Sequence, residues 1–122
     1  MARRLLPGLL VALLLDPAHA AAHAIIVESA PAVGATVAGP DVDVTLRFNS
    51  RIDRARSSVT LSTAAAPAGA APASLPLAAD TSPDILKSRA GGLAPGRYVL
   101  RWQVLSVDGH ITRGDIPFTI GR

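Results

Sequence analysis

The feature that most constrains the fold of this chain is a strict alternation of apolar and polar residues in short runs. Val42, Val44, Leu46 and Phe48 alternate with polar residues, and a period of two is typical of a strand with one buried face. The same pattern recurs at 57–63, 98–105 and 116–120, and further strands are expected at 24–29, 75–78 and 85–88. Gly, Pro and Asp turns separate the runs, and no segment favours a helix longer than a turn. About seven short strands punctuated in this way predict an all-β chain, a single Greek-key β-sandwich of immunoglobulin or cupredoxin type.

The first 22 residues have the composition of a secretory signal peptide. Arg3 and Arg4 precede an apolar stretch from Leu5 to Leu15, and small residues follow it. That stretch is too short to cross a bilayer; an uncleaved anchor or a twin-arginine signal is the alternative. We expect residues 1–22 to be removed on export, which leaves residues 23–122 as one domain without a membrane span.

Two cleavage positions fit the small residues of the leader, one after Ala22 and one after Ala20. Cleavage after Ala22 makes His23 the first residue, so that its α-amine and its imidazole can chelate one metal ion. Cleavage after Ala20 places His23 third, which is also a copper-binding terminus but one of different geometry. The sequence leaves both positions open.

Composition excludes several kinds of chemistry. The chain has no Cys, and its one Met is Met1, so disulfides, thiolate nucleophiles and sulfur-ligated metal sites are excluded from the mature chain. The net charge of +3 comes from Arg residues that alternate with apolar or acidic neighbours, a pattern of solvated faces rather than of a nucleic-acid surface. No motif of a hydrolase triad, a phosphate loop or a zinc protease is present, so we predict no catalytic residues. Trp102, the only Trp, lies in an alternating run and is expected in the core.

A second candidate metal-binding element is the segment Ser106-Val107-Asp108-Gly109-His110, in which Asp108 and His110 are two positions apart. Residues two apart on an extended segment project to the same side, and Gly109 also permits a sharp turn, so a carboxylate and an imidazole can converge on one ion. With His23 they form a nitrogen-rich set with one hard oxygen, which suits tetragonal Cu(II), although zinc can use the same ligands. The alternative is that Asp108-Gly109 is an ordinary hairpin turn and that His23 is simply exposed.

Several blocks of residues resemble CopC-type periplasmic copper-binding proteins, over nearly all of residues 23–122. The first half of the match comprises His23-Ala24, Glu28-Ser29-Ala30-Pro31-Ala32 with Gly34, and Pro40 with the alternating run 42–48. The second half comprises Gly96-Arg97-Tyr98, the W-x-V-x-S-x-D-G-H run from Trp102 to His110, Gly114 and Phe118-x-Ile120. The histidine at the expected terminus and the W-x-V-x-S-x-D-G-H run are the specific parts of this resemblance.

The resemblance implies a Greek-key β-sandwich that binds one Cu(II) per chain through His23, Asp108 and His110. It implies a non-enzymatic periplasmic carrier or buffer in copper homeostasis or resistance, with an inner-membrane copper transporter of the CopD type as a partner; we expect a monomer. Many relatives have Ser-Glu after the Phe of the second block, with that Glu near the copper, whereas Ser50 stands at the Glu position here. Some relatives carry a Met-rich Cu(I) site, which the Ala/Pro-rich middle of this chain lacks.

Two other functions stay open from the sequence. A terminal histidine with a second histidine also resembles the copper site of oxidative polysaccharide-cleaving enzymes. An aromatic content of 3% offers little to stack on sugars, however, and Asp108 would fill a position that oxygen chemistry needs open. The other alternative is an immunoglobulin-like structural module that binds no metal.

Overall fold

The computed structural model describes residues 23–122, which form eight strands and no helix. The predicted leader and its cleavage position lie outside these residues. The strands are β1 (Ile26–Ala30), β2 (Thr36–Val37), β3 (Val42–Phe48), β4 (Ile52–Thr63), β5 (Ala73–Leu75), β6 (Ile85–Ala90), β7 (Gly96–Ser106) and β8 (Ile111–Ile120). Within the described part of the chain, therefore, no helix has the length and apolar character needed to cross a membrane.

The strands form two sheets, one of three strands in the order β1-β3-β6 and one of five in the order β2-β8-β7-β4-β5. Every pairing is antiparallel except that of β2 with β8. Inward side chains of both sheets form a single apolar cluster. The predicted all-β, Greek-key β-sandwich is confirmed.

The core follows the alternation that the sequence shows. In β3, residues 42, 44, 46 and 48 are buried, whereas Asp43 and Arg47 are exposed. Trp102 is also in the core, as predicted, with its ring edge to face against Phe48 at a centroid distance of 5.3 Å. A Cβ atom at Gly114 would lie only 2.7–2.9 Å from three atoms of the Trp102 indole. Glycine at 114 therefore makes room for the only large bicyclic side chain of the core.

Two strands begin five residues before the position that the alternation predicts. The strand expected at 57–63 begins at Ile52. The sequence does not indicate this earlier start, because the pairing of β4 with β7 is irregular between Asp53 and Ser58 and the alternation of apolar and polar residues is lost there. The strand expected at 116–120 begins at Ile111. Its inward positions near the start hold Thr112 and Gly114, which are not large apolar residues and so conceal the period of two.

The hairpin of β7 and β8 places the candidate metal-binding residues at one end of the sandwich. Its ladder runs without interruption from the pair Gly96–Ile120 to the pair Leu105–Ile111, so residues 106–110 form the tip of the hairpin. The chain enters β1 at the same end, because the Thr112 hydroxyl donates a hydrogen bond of 2.6 Å to the carbonyl of Ala24. The first described residues and the hairpin tip therefore meet.

Candidate metal centre

The structure brings the two histidines of the described chain into contact. The imidazole rings of His23 and His110 lie edge to face, with centroids 4.7 Å apart and an interplanar angle of 75°. Both residues are exposed, and 55% of the His110 side chain is accessible. An ion from solvent can therefore reach both rings without any part of the fold opening.

The Asp108-Gly109-His110 segment is a tight turn and not part of a strand. The amide of Gly109 donates to the carbonyl of Ser106, and the amide of Ser106 donates to the carbonyl of His110, each at 2.9 Å. Gly109 has a φ of +90°, a backbone conformation that side-chain-bearing residues rarely adopt. The bend at Gly109 therefore makes the Asp108 and His110 side chains converge, whereas strand alternation does not. The hairpin-turn interpretation describes the backbone correctly, and it does not separate the two side chains.

The carboxylate of Asp108 is held on both of its oxygens. Oδ2 lies 2.9 Å from Nδ1 of His110, and Oδ1 accepts hydrogen bonds from the Ser106 hydroxyl and from the His110 amide. Among residues 23–122, Ser106 is the one polar residue that is buried, so its hydroxyl, which also lies 3.0 Å from the His110 carbonyl, is shielded from solvent. The Ser106 hydrogen bond, followed by those from His110, lowers the pKa of Asp108 to about 2. Asp108 is therefore an anion throughout the physiological pH range.

The segment that follows His23 is fixed on three sides. Ala24 is completely buried, and its carbonyl accepts the hydrogen bond from Thr112. The amide of Ile25 donates to Oδ1 of Asn49 at 2.9 Å, and the amide of Asn49 donates to the carbonyl of Ile25 at 3.0 Å. Asn49 and Thr112 therefore hold the backbone that directly follows His23.

Sequence reasoning assigned no role at this site to Asn49 or Thr112, and it included Ser106 only as the first residue of the segment that ends at His110. No local pattern marks Asn49 or Thr112, because each acts through a contact with a residue distant in the sequence. At Ser50 the hydroxyl is buried and has no hydrogen-bond partner among the described residues. That position provides no carboxylate to the region.

Side chains alone do not complete a metal site here. Residues 23–122 contain no group of three His, Cys, Asp or Glu side chains placed to hold an ion between them. Instead the three predicted residues form a chain of contacts, in which His23 touches His110 and His110 touches Asp108. The backbone nitrogen of His23 is a further potential donor, and it becomes an amine only when the chain is cut after Ala22.

Comparison with known proteins identifies the same family across sequence and structure. The family model described as "CopC domain" matches residues 26–121. The crystal structure of CopC from Methylosinus trichosporium OB3b is similar with a TM-score of 0.67 and 31% identity, over 80% of this chain and 93% of that one.

Two more distant similarities agree with this match. PcoC from Escherichia coli, described as a methionine-rich copper resistance protein, has a TM-score of 0.67 at 22% identity, over 81% of this chain and 99% of PcoC. At that identity the likeness concerns the fold. Protein YobA of Escherichia coli strain K12 is 29% identical over 101 residues, which cover 81% of this chain and 79% of YobA.

Proposed function

This chain belongs to the CopC family, and from that membership we propose that it is a periplasmic protein that binds one Cu(II) ion and carries or buffers it. The contact between the rings of His23 and His110, beside the ionised Asp108, is the observation that carries the proposal. Removal of residues 1–22 on export creates the free terminus that the site requires.

The ligands that we propose are the amine and imidazole of His23, an imidazole nitrogen of His110 and a carboxylate oxygen of Asp108. The amine and ring of one residue can close a chelate ring, and the 4.7 Å separation of the two imidazole centroids allows one ion to reach both residues. Coordination by Asp108 would replace its present contact with Nδ1 of His110. Its second oxygen can keep the hydrogen bond from Ser106, which holds the carboxylate in place.

The donor set favours the oxidised copper ion. Three nitrogens and one oxygen suit the tetragonal geometry of Cu(II), whereas Cu(I) prefers thioether and thiolate sulfur. Residues 23–122 contain neither Cys nor Met. We therefore propose a single Cu(II) site and no Met-rich Cu(I) site.

A role in carrying or buffering, and not in catalysis, is supported by the surface of the domain. The candidate site is exposed, so an ion can exchange with solvent or with a partner such as a CopD-type membrane transporter. All four aromatic residues, Phe48, Tyr98, Trp102 and Phe118, are buried in the core. None of them is available on the surface to stack against a sugar, as an oxidative polysaccharide-cleaving enzyme requires.

The test compares the mature protein beginning at His23 with a variant that carries one additional glycine before it. We expect the first to bind one Cu(II) per chain in a competition titration with a chelator. The extended variant should bind Cu(II) more weakly, by more than the roughly 10–100-fold cost of losing an outer-shell partner of a metal ligand. Equal affinity of the two proteins would reject the amine as a ligand, and the absence of uptake by both would reject the proposed function. A parallel titration with Zn(II) tests the choice of metal.

A further inference from the structure

Ala24 and Ile25, the two residues that connect the proposed ligand His23 to strand β1, lie outside the regular sheet. The strand β1 begins at Ile26, so Ala24 and Ile25 precede the ladder that would otherwise fix their backbone. Two side chains from other parts of the fold, Thr112 of β8 and Asn49 of the loop after β3, hydrogen-bond to this backbone, and the Asn49 amide adds one backbone bond to Ile25.

The two side chains hold the segment from opposite sheets. Thr112 belongs to the five-stranded sheet and donates to the Ala24 carbonyl at 2.6 Å, whereas Asn49 follows a strand of the three-stranded sheet and accepts from the Ile25 amide at 2.9 Å. The amide of Asn49 returns a bond to the Ile25 carbonyl. With the Ala24 methyl group buried as well, these contacts hold the backbone up to the residue next to His23.

Such anchoring affects metal binding because a chain terminus is otherwise free to move. A donor that samples many positions must lose that freedom when it coordinates an ion, and this loss weakens binding. A backbone that already holds His23 against His110 removes most of this cost. It also keeps His23 close to the ion when one of its bonds breaks, which slows dissociation.

We propose that Asn49 and Thr112 are positioning residues of the copper site, which act through His23 by clamping the backbone of Ala24 and Ile25. This proposal rests on the proposed function for its effect on copper, but the clamp itself exists without the ion. Neither residue is a ligand. Their side chains determine how firmly the terminal histidine is presented to His110.

The first experiment needs no metal. In the metal-free protein beginning at His23, we expect nuclear Overhauser contacts between the ring protons of His23 and His110, and slow hydrogen exchange at the Ile25 amide. Thr112→Val removes the hydroxyl at nearly constant size, and Asn49→Leu removes the acceptor. Loss of Thr112 should weaken the ring contact, and loss of Asn49 should speed exchange at Ile25 about 3- to 10-fold, as expected for one net hydrogen bond. Unchanged ring contacts and exchange would overturn the clamp.

The second experiment is a double-mutant cycle with Cu(II). Thr112→Val should weaken Cu(II) binding by about 3- to 10-fold when His23 is present, and should change it less than about 2-fold in the His23→Ala background, within the usual additivity of independent sites. Thr112→Ser, which keeps the hydroxyl, should restore affinity. The matched control is Thr119→Val, the same substitution at a half-buried position of the same strand but at its far end, which should leave affinity unchanged.

The outcomes separate this proposal from the proposed function. An equal loss in both backgrounds would mean that Thr112 acts through His110 or through general stability, and would overturn the positioning role. If the wild-type protein takes up no Cu(II), the proposed function fails, while the metal-free experiment still decides whether Asn49 and Thr112 position His23.

Discussion

The imidazole of His23 rests edge to face on that of His110, with 4.7 Å between the ring centroids. One ring follows the predicted leader directly, and the other stands at the tip of the last hairpin. Each ring adjoins a segment with defined contacts: Thr112 and Asn49 hydrogen-bond to the backbone that follows His23, and the bend at Gly109 shapes the turn that carries His110. The two halves of the proposed site can therefore be tested independently.

The cleavage position should decide whether His110 takes part in copper binding. In a chain that begins at Ala21, the amine, two backbone nitrogens and the His23 ring can fill a square plane without other residues. In a chain that begins at His23, the terminal residue fills only two positions. We expect His110→Ala to weaken Cu(II) binding strongly in the second protein and hardly at all in the first. Titration of the four proteins checks this, and the intact mass of the exported protein shows which form occurs.

Replacing Gly109 should disrupt the copper site but leave the protein folded. Gly109 and Gly92 have φ values of +90° and +67°, and a Cβ atom at either would meet nothing within 4 Å. Alanine at each position should therefore cost a similar conformational penalty of about 1–2 kcal/mol, measured by urea denaturation. Gly109→Ala should also weaken Cu(II) binding, whereas Gly92→Ala should not. Equal affinity of the two variants would mean that the bend does not orient the ligands.

Ionisation of Asp108 should stabilise the metal-free protein above pH 4 and not below pH 2. Its folded pKa of about 2 lies below its ordinary value of 3.8, so the unfolded chain binds the proton first as the pH falls. The contribution is therefore complete above the unfolded value and is lost as the pH falls towards about 2. Urea denaturation of wild type and Asp108→Asn between pH 2 and 6 should show a stability difference that shrinks in this window. A difference that does not change with pH would contradict the assignment.

The low pKa of Asp108 also leads to a prediction about the release of copper by acid. Because Asp108 of the metal-free protein is already ionised throughout this range, we expect loss of Cu(II) between pH 7 and 4 to reflect competition of protons with the ion for the nitrogen donors. Asp108→Asn should lower the affinity at pH 7 without removing this pH dependence. Competition titrations at several pH values measure both quantities, and a flat profile in the variant would show that Asp108 itself controls release.

A side chain at position 114 should destabilise the fold. A Cβ atom there would lie 2.7–2.9 Å from the Trp102 indole, whereas at Gly121, close to the end of the same chain, the nearest atom is the Thr36 methyl carbon at 3.4 Å. We expect Gly114→Ala to destabilise the fold by about 1–3 kcal/mol through overpacking and to alter the fluorescence of Trp102. Gly121→Ala should have a much smaller effect in the same thermal denaturation experiment.

The sequence predicts the architecture well where burial alternates and poorly where it does not. The bounds of β3 agree with its run of alternating residues, because each inward position carries a large apolar side chain. The start of β4 was missed, because its irregular pairing removes the alternation between Asp53 and Ser58. The start of β8 was missed, because Thr112 and Gly114 face inward, where one makes a hydrogen bond and the other gives space to Trp102.

In the candidate site, the sequence identifies the residues with metal-binding side chains but not the residues that contact and hold the neighbouring backbone. His23, Asp108 and His110 were found because few side chains combine these donors at such spacing, and the structure connects all three by contacts. Their role as ligands stays a prediction. Asn49 was not found because its function depends on a contact with Ile25, 24 positions away, which no local pattern encodes.

The meeting of the first described residues with the last hairpin has a consequence for stability. The hydrogen bond between Thr112 and Ala24 joins positions 88 residues apart, and an ion shared by the neighbouring histidines would add a covalent-like cross-link across the same span. In a chain without cysteine, a bound copper ion would then stabilise the fold by mass action, because the two ligand segments meet only in the folded state. The gain would rise by about 1.4 kcal/mol for each tenfold excess of the free ion over its dissociation constant. Binding of the ion would thus raise the stability of the whole β-sandwich and not only that of the edge at which it binds.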